Sequence, residues 1–266
     1  MNDNAQVITS AQNPLIKNLV QLSSHQSVRN RQGLTLLEGV HLSKEYLSRV
    51  GAPEICLVAN DRSNLEVIEI IRKCRELGVR IIEIDRRIYL KISPVIEGIG
   101  LMFVIKTPAS KTMDPNCNTV ILENIQDPGN LGTILRSAAA GGVEQIICSS
   151  DTASAWAPKV LRAGMGAHFN LNIIENQDLK LAISQLRIPI YATSLSAESS
   201  IYSEDLSANS AWIFGNEGKG VSDELQNYAT KKLIIPQSNK IESLNVAMAA
   251  TICIFEKLRQ SSMNKT

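Results

Sequence analysis

At 266 residues, with 44% hydrophobic and 20% charged residues, the chain is too long for one small domain and has room for two compact ones, each with its own core. A formal net charge of +1 excludes a nucleic-acid reading founded on overall basicity, so any basic surface must be local, and 4% aromatic residues is too few for a surface that stacks many bases. The five cysteines, Cys56, Cys74, Cys117, Cys148 and Cys253, form no CxxC pair, which argues against a zinc site or a disulfide frame and for buried free thiols in a reducing compartment.

The first 14 residues are polar, with neither a charged segment leading into an apolar core nor a long apolar span. Secretion and membrane insertion are therefore not expected, and the expected location is the cytoplasm. Lys17, Arg29 and Arg31, then Arg72, Lys73, Arg75, Arg80, Arg86 and Arg87, give the first half a mild positive surplus whose plainest reading is a solvated helix face. After the polar arm, apolar runs at 34–37, 55–59, 79–84 and 101–105 alternate with helical patterns through Tyr46 and from Asn64. This predicts a small α/β domain over residues 1–108. Residues 106–115 hold two prolines and no hydrophobic period, which places a linker at 109–116.

From residue 117 the alternation resumes, with runs at 119–122, 145–148, 171–174, 188–192, 211–214 and 233–235. Helices are predicted from Leu131, from Asp178 and over 244–258. Strands separated by helices imply an α/β domain over 117–266 with a mostly parallel sheet covered on both faces. In such sheets ligands lie beyond the carboxyl ends of the strands, so the strand-to-helix loops are where chemistry is expected.

Three loops stand out. In the first, Asp127-Pro128-Gly129 is turn chemistry, Asn130 reads as the N-cap of the helix from Leu131, and Arg136 sits far enough into that helix to reach back toward the loop. The second holds Gly215, Glu217, Gly218 and Gly220. Its glycines let backbone approach a ligand, and Ser222 or Asp223 can cap the next helix. It matches neither GxxxxGK[ST] nor GxGxxG, which demotes a phosphate-cradling role. The third runs from Gln237-Ser238-Asn239-Lys240 to Ser243-Leu244-Asn245, where Ser243 and Asn245 are helix-start residues. Taken singly, each residue also has an ordinary reading as a cap, a turn or a surface side chain.

Together, in this order and each after a predicted strand, the loops closely resemble the signature motifs of the SpoU/TrmH family of SPOUT methyltransferases, over about residues 118–258. The intervening segment Lys159-Val160-Leu161-Arg162-Ala163-Gly164-Met165-Gly166-Ala167 also resembles the family. Ile8-Thr9-Ser10-Ala11-Gln12-Asn13-Pro14 and Leu36-Leu37-Glu38-Gly39 are similar to its substrate-binding domain, a ribosomal protein L30e-like fold.

The resemblance implies a trefoil-knotted SPOUT domain after an L30e-like RNA-binding domain, with S-adenosyl-L-methionine as methyl donor and no metal. It implies methylation of a ribose 2′-hydroxyl in RNA, 23S ribosomal RNA ahead of transfer RNA, by a homodimer joined through the knotted domain. By motif, Gly215, Ile235 and Leu244 contact the cofactor mainly through backbone, with Asn245 close by. Arg136 matches the family's catalytic arginine, and Asn130, Glu217, Ser243 and Asn245 its supporting polar residues. One departure is the stretch from Gln237 to Lys240, where many relatives have Met followed shortly by glycine; it bears on loop shape and cofactor affinity.

A guanidinium is always protonated and has no lone pair to offer, so Arg136 is expected to clamp a phosphate and stabilise a developing alkoxide while Glu217 or water takes the proton. Arg29 and Arg31 are the expected RNA-backbone contacts, without base specificity, on single-stranded or loop RNA. Two other classes stay open at this point: a non-catalytic RNA-binding or ribosome assembly factor of the same fold, and a nucleotide-binding enzyme using 215–220 as a phosphate loop.

Overall fold

The computed structural model describes residues 7–61, 64–93, 98–238 and 243–263. Two compact units emerge. One holds the described residues through Ala109 together with Trp156–Phe169, the other Ser110–Ala155 and the described residues from Asn170 onward.

In the first unit, helices α1 (Pro14–Ser24) and α2 (Gln26–Gln32) precede strand β1 (Leu34–Glu38). Neither helix is among the predicted elements, although α1 carries an amphipathic pattern of its own. The Asn13 side chain accepts from the Leu15 N–H, Pro14 opens α1, and Ile16, Leu19 and Leu22 form its buried stripe. Then follow α3 (Val40–Arg49), β2 (Ile55–Ala59), α4 (Leu65–Glu76), β3 (Arg80–Ile84), α5 (Arg86–Ile92) and β4 (Leu101–Lys106). Asn64 caps α4 as its position predicts.

The sheet order is β1-β4-β2-β3, with β4 antiparallel to β1 and β2, and β2 parallel to β3. Alternation along the strands sends Leu36, Leu57, Met102 and Val104 to a core beneath α1 and α5. Leu37, Cys56, Val58 and Phe103 go to the opposite core beneath α3 and α4.

In the second unit, β5 (Thr119–Leu122) leads into α6 (Pro128–Ala140) and β6 (Gln145–Ser149). Helix α7 (Pro158–Gly164) lies in the segment that groups with the first unit. This differs from the expected boundary, which kept residues 159–167 with the C-terminal domain. The reasons are local: Thr35 Oγ1 donates to the Trp156 carbonyl at 2.7 Å, and Phe169 packs edge-on against Tyr46 with centroids 5.5 Å apart. The chain continues through β7 (Asn172–Gln177), α8 (Leu179–Gln185), β8 (Ile190–Thr193), β9 (Ser199–Ser200), β10 (Ala211–Phe214), α9 (Asp223–Gln226), β11 (Lys231–Ile234) and α10 (Val246–Met263).

The seven strands run in the order β7-β6-β5-β10-β8-β11-β9, and each pairing is parallel. Buried on both faces, the central β5 and β10 have to be apolar at successive positions, as their sequences TVIL and AWIF are. Ile121, Ile147, Ala192 and Ile213 pack with Leu179, Ile183 and Leu225 of α8 and α9.

Helices α6 and α10 lie so close that a Cβ on Gly141 would stand 2.1 Å from Ile254 Cγ2, and Ser137 and Thr251 share a hydroxyl hydrogen bond of 2.7 Å. Part of the predicted linker is tied to this sheet: the Lys111 N–H donates to Asn172 Oδ1 at 2.8 Å and the Asp114 N–H to Gln145 Oε1 at 2.9 Å. All five cysteines are buried thiols outside any disulfide. Among the described residues, no helix is long and apolar enough to cross a membrane.

Candidate active site

Because the strands are parallel, the loops after β5, β10 and β11 leave the sheet at one end. The first begins with a correction. Asn130 is not the N-cap; Asp127 is, accepting the Asn130 N–H at 2.8 Å, and α6 starts at Pro128. Proline directly after aspartate was the signal for this earlier start. Moved into the first turn, Asn130 is free to turn its side chain across the loops.

Its carboxamide donates to Glu217 Oε1 at 3.1 Å and accepts from Asn245 Nδ2 at 3.0 Å. Asn245 Oδ1 in turn accepts the Ala247 and Met248 N–H groups at 2.9 and 3.3 Å, capping α10. Glu217 also accepts the Asp127 N–H at 3.0 Å and the Gln126 N–H at 3.2 Å. One polar chain therefore links all three loops: backbone after β5, Glu217, Asn130, Asn245, helix α10. A second tie, missed in the sequence, runs from the Ser222 N–H to Glu123 Oε2 at 2.7 Å.

Burial alone would push the Glu217 carboxyl up, but the donors on Asp127, Asn130 and Gln126 outweigh it and hold the group below its usual range. A carboxylate with this many donors is a poor proton acceptor at neutral pH. That argues against Glu217 as the base and for Glu217 as the clasp between loops.

The glycines also have a reason within the fold, beside the expected approach to a ligand. A Cβ on Gly215 would lie 2.1 Å from the Gly220 carbonyl oxygen, so the loop after β10 closes on itself only with glycine there. Gly220 has φ +70°, in the left-handed region. The Asn216 side chain holds the turn, accepting the Gly218 and Lys219 N–H groups at 3.0 and 3.1 Å.

Beside this turn lies a cavity of about 430 Å³ whose walls include Gly215, Ile235, Ser243 and Leu244, together with Glu217 and Gln237. The residues 193–196 after β8 complete one side; nothing in their sequence marked them. Arg136 is exposed on α6, with no hydrogen bond or ion pair among the described residues. Of the atypical loop, Gln237 and Ser238 are described, while Asn239 and Lys240 lie outside the described residues.

Arg29 corrects another expectation. It is 7% exposed, and its Nη1 donates to the Leu22 carbonyl at 3.0 Å, closing the C-terminal end of α1. Its guanidinium is committed to the fold and is not available to an RNA backbone. Arg31, on the same helix, is exposed. Among the described residues, no group of three or more His, Cys, Asp or Glu side chains is placed to hold a metal ion.

Residues 118–255 match the SpoU rRNA Methylase family. The chain belongs to this family. This SpoU-family chain is 34% identical to an uncharacterized tRNA/rRNA methyltransferase of Synechocystis sp., over 95% of this chain and 93% of that one. It is 28% identical to the 23S rRNA (guanosine(2553)-2′-O)-methyltransferase of Bacillus subtilis, over 93% and 97% of the two chains. Among solved structures, the AdoMet-bound rRNA methyltransferase from Sinorhizobium meliloti superposes with a TM-score of 0.83 at 25% identity, covering 96% of this chain and 97% of that one. An RNA 2′-O ribose methyltransferase superposes with a TM-score of 0.82 at 27% identity, over 95% and 98%.

The SpoU-family cofactor, S-adenosyl-L-methionine, fits the residues found here. The cavity has the size of a small-molecule site, with apolar walls from Leu195, Ile235 and Leu244 and backbone groups from the turn at Gly215.

Proposed function

We propose that this chain methylates the 2′-hydroxyl of a ribose in RNA, with S-adenosyl-L-methionine as donor and 23S ribosomal RNA as substrate. The observation that carries the reading is the Glu217–Asn130–Asn245 chain, which fastens three motif loops around one cavity. Bound there, the cofactor supplies an electrophilic methyl on a sulfonium.

The protein's contribution is positioning and charge. Gly215, Ile235 and Leu244 hold the donor in the cavity wall, and the fastened loops keep that wall fixed relative to α6, the helix that bears Arg136. Arg136 takes the phosphate of the target nucleotide and stabilises the oxygen as it loses its proton. With Glu217 engaged by its donors, that proton passes to solvent water.

The first unit takes the RNA, with Arg31 on its surface, and this reading is supported by the family's domain arrangement. We infer further that the enzyme is a cytoplasmic homodimer whose second unit is knotted. Supporting the dimer, Met248, Phe255 and Met263 are 49%, 42% and 64% exposed on α10, an apolar stripe at helical spacing.

Calorimetry with S-adenosyl-L-methionine, followed by transfer of a labelled methyl to ribosomal RNA and alkaline hydrolysis, tests the proposal. The expected product is one alkali-resistant dinucleotide, since a methylated 2′-oxygen cannot attack its phosphate. Label recovered on a base, or binding of RNA without transfer, would refute it. The second outcome would favour the assembly-factor alternative.

A further inference from the structure

The segment 159–167 resembles the family, yet none of its residues lines the cavity or joins the hydrogen-bonded chain between the loops. Its helix, α7, buries Val160, Leu161 and Gly164 and leaves Lys159 and Arg162 exposed, as is Met165 at its C-terminal end. The three exposed residues recur at every third position, which sets them in one row on the open side of the helix.

Met165 is the unusual member of the row. It ends α7 in the left-handed region, at φ 49° and ψ 40°, a position that glycine commonly takes because a Cβ is strained there. Burial of the side chain could offset that strain, but Met165 is 37% exposed. An outlier of this kind, with its side chain in water, points to a task outside the fold.

The two cations lack an internal counter-charge. Lys44, Arg49, Arg72 and Lys73 on α3 and α4 pair with carboxylates, whereas Lys159 and Arg162 make no hydrogen bond or ion pair among the described residues. Glu45 packs against Gly166, but its carboxylate is taken by Arg49 at 2.7 Å. Two uncompensated cations followed by a projecting thioether suit a ligand that offers both anionic groups and flat apolar faces. Single-stranded RNA is such a ligand, through its phosphates and through any base lifted out of the stack.

We propose that this row on the first unit is an RNA contact, with Lys159 and Arg162 on backbone phosphates and Met165 packed against an unstacked base. This rests on RNA being the substrate, as proposed above.

Binding of an unmodified 23S ribosomal RNA transcript, and of heparin as a polyanion without bases, is measured against salt concentration. The variants are Met165→Asn, Met165→Leu, and Lys159→Ala combined with Arg162→Ala. Asparagine tolerates the left-handed region, and leucine keeps the apolar bulk. Met165→Asn should bind RNA about five-fold more weakly, at the lower end of what a base-packing contact contributes. Its salt slope and heparin affinity should not change, its melting temperature should be no lower than the wild type's, and Met165→Leu should bind as the wild type does. The double variant should have a salt slope shallower by about 1.4, as for two phosphates on a single strand. An equal loss on RNA and heparin in Met165→Asn overturns the proposal. So does RNA affinity that Met165→Asn keeps in full, which would leave the row to a protein partner while the function proposed above stands. A wild type that neither binds nor methylates RNA removes that function, and this contact with it.

Discussion

Arg29 and Arg31 share a helix and a charge, and the fold uses them in different ways. Arg29 is buried against the end of α1, so Arg29→Ala should cost about 1.5–3 kcal/mol of unfolding free energy, as lost hydrogen bonds from charged groups do, while the salt dependence of RNA binding stays the same. Arg31→Ala should do the reverse: no change in stability, and a salt slope shallower by about one. Urea titration and salt-dependent binding separate the two.

Glu217 gives a pH signature at the same scale. Its folded carboxyl lies below the usual range, so the folded state binds that proton less readily than the unfolded chain. Its contribution is therefore complete above the unfolded value of about 4.3 and is lost as pH falls through the lower folded value. Melting temperatures of the wild type and Glu217→Gln, measured from neutral pH to pH about 3, should converge over that acidic window. A constant gap would show that the carboxylate's charge is not what fastens the loops. Residue types at the site were legible in the chain, since Asn130, Glu217 and Asn245 meet through one hydrogen-bonded chain. Burial was not legible: nothing local distinguishes Arg29 from Arg31, because what covers Arg29 is the C-terminal end of the preceding helix, α1.

Elements were readable in proportion to how much of their signal is local. Strands β5 and β10 fall on their predicted spans because both faces are buried and an unbroken apolar run is the only pattern such strands tolerate. Helix α1 has three buried apolar positions spread among polar ones, and its cap, Asn13 before Pro14, was the better signal. The two-residue β9 carries no pattern of its own; it exists because β11 offers it an edge.

The contact between α6 and α10 is invisible to periodicity, since it depends on what a glycine lacks. Gly141→Ala places a methyl group 2.1 Å from Ile254 Cγ2, and overpacking of this kind should cost about 1–3 kcal/mol. Combining it with Ile254→Ala should cost less than the two single losses added together, because the second change removes the atom the first one meets. Strict additivity in denaturant unfolding would mean the helices separate instead of clashing.

At the scale of the whole molecule, the exposed stripe on α10 makes the clearest claim. If Met248, Phe255 and Met263 lie against a second copy, Phe255→Glu should convert the protein to a monomer in sedimentation experiments and lower methyl transfer, with the fold intact by circular dichroism. A dimer that survives the change would place the interface elsewhere.

The order of the large sheet also governs when the protein can first act. Ala211 pairs with Thr119, so the two central strands are brought together across most of the second unit's length. The clasp from Glu217 to the backbone at Asp127 spans the same gap. Such distant pairings must meet their loop-closure cost before any contact rewards it, and they form slowly. A ribosome part-way through the message has released the arginine and the first loop but no cavity to go with them. Methylating capacity therefore arrives late and all at once, after β10 has slotted between β5 and β8, and a chain cut short before residue 211 holds half a site with no partial activity.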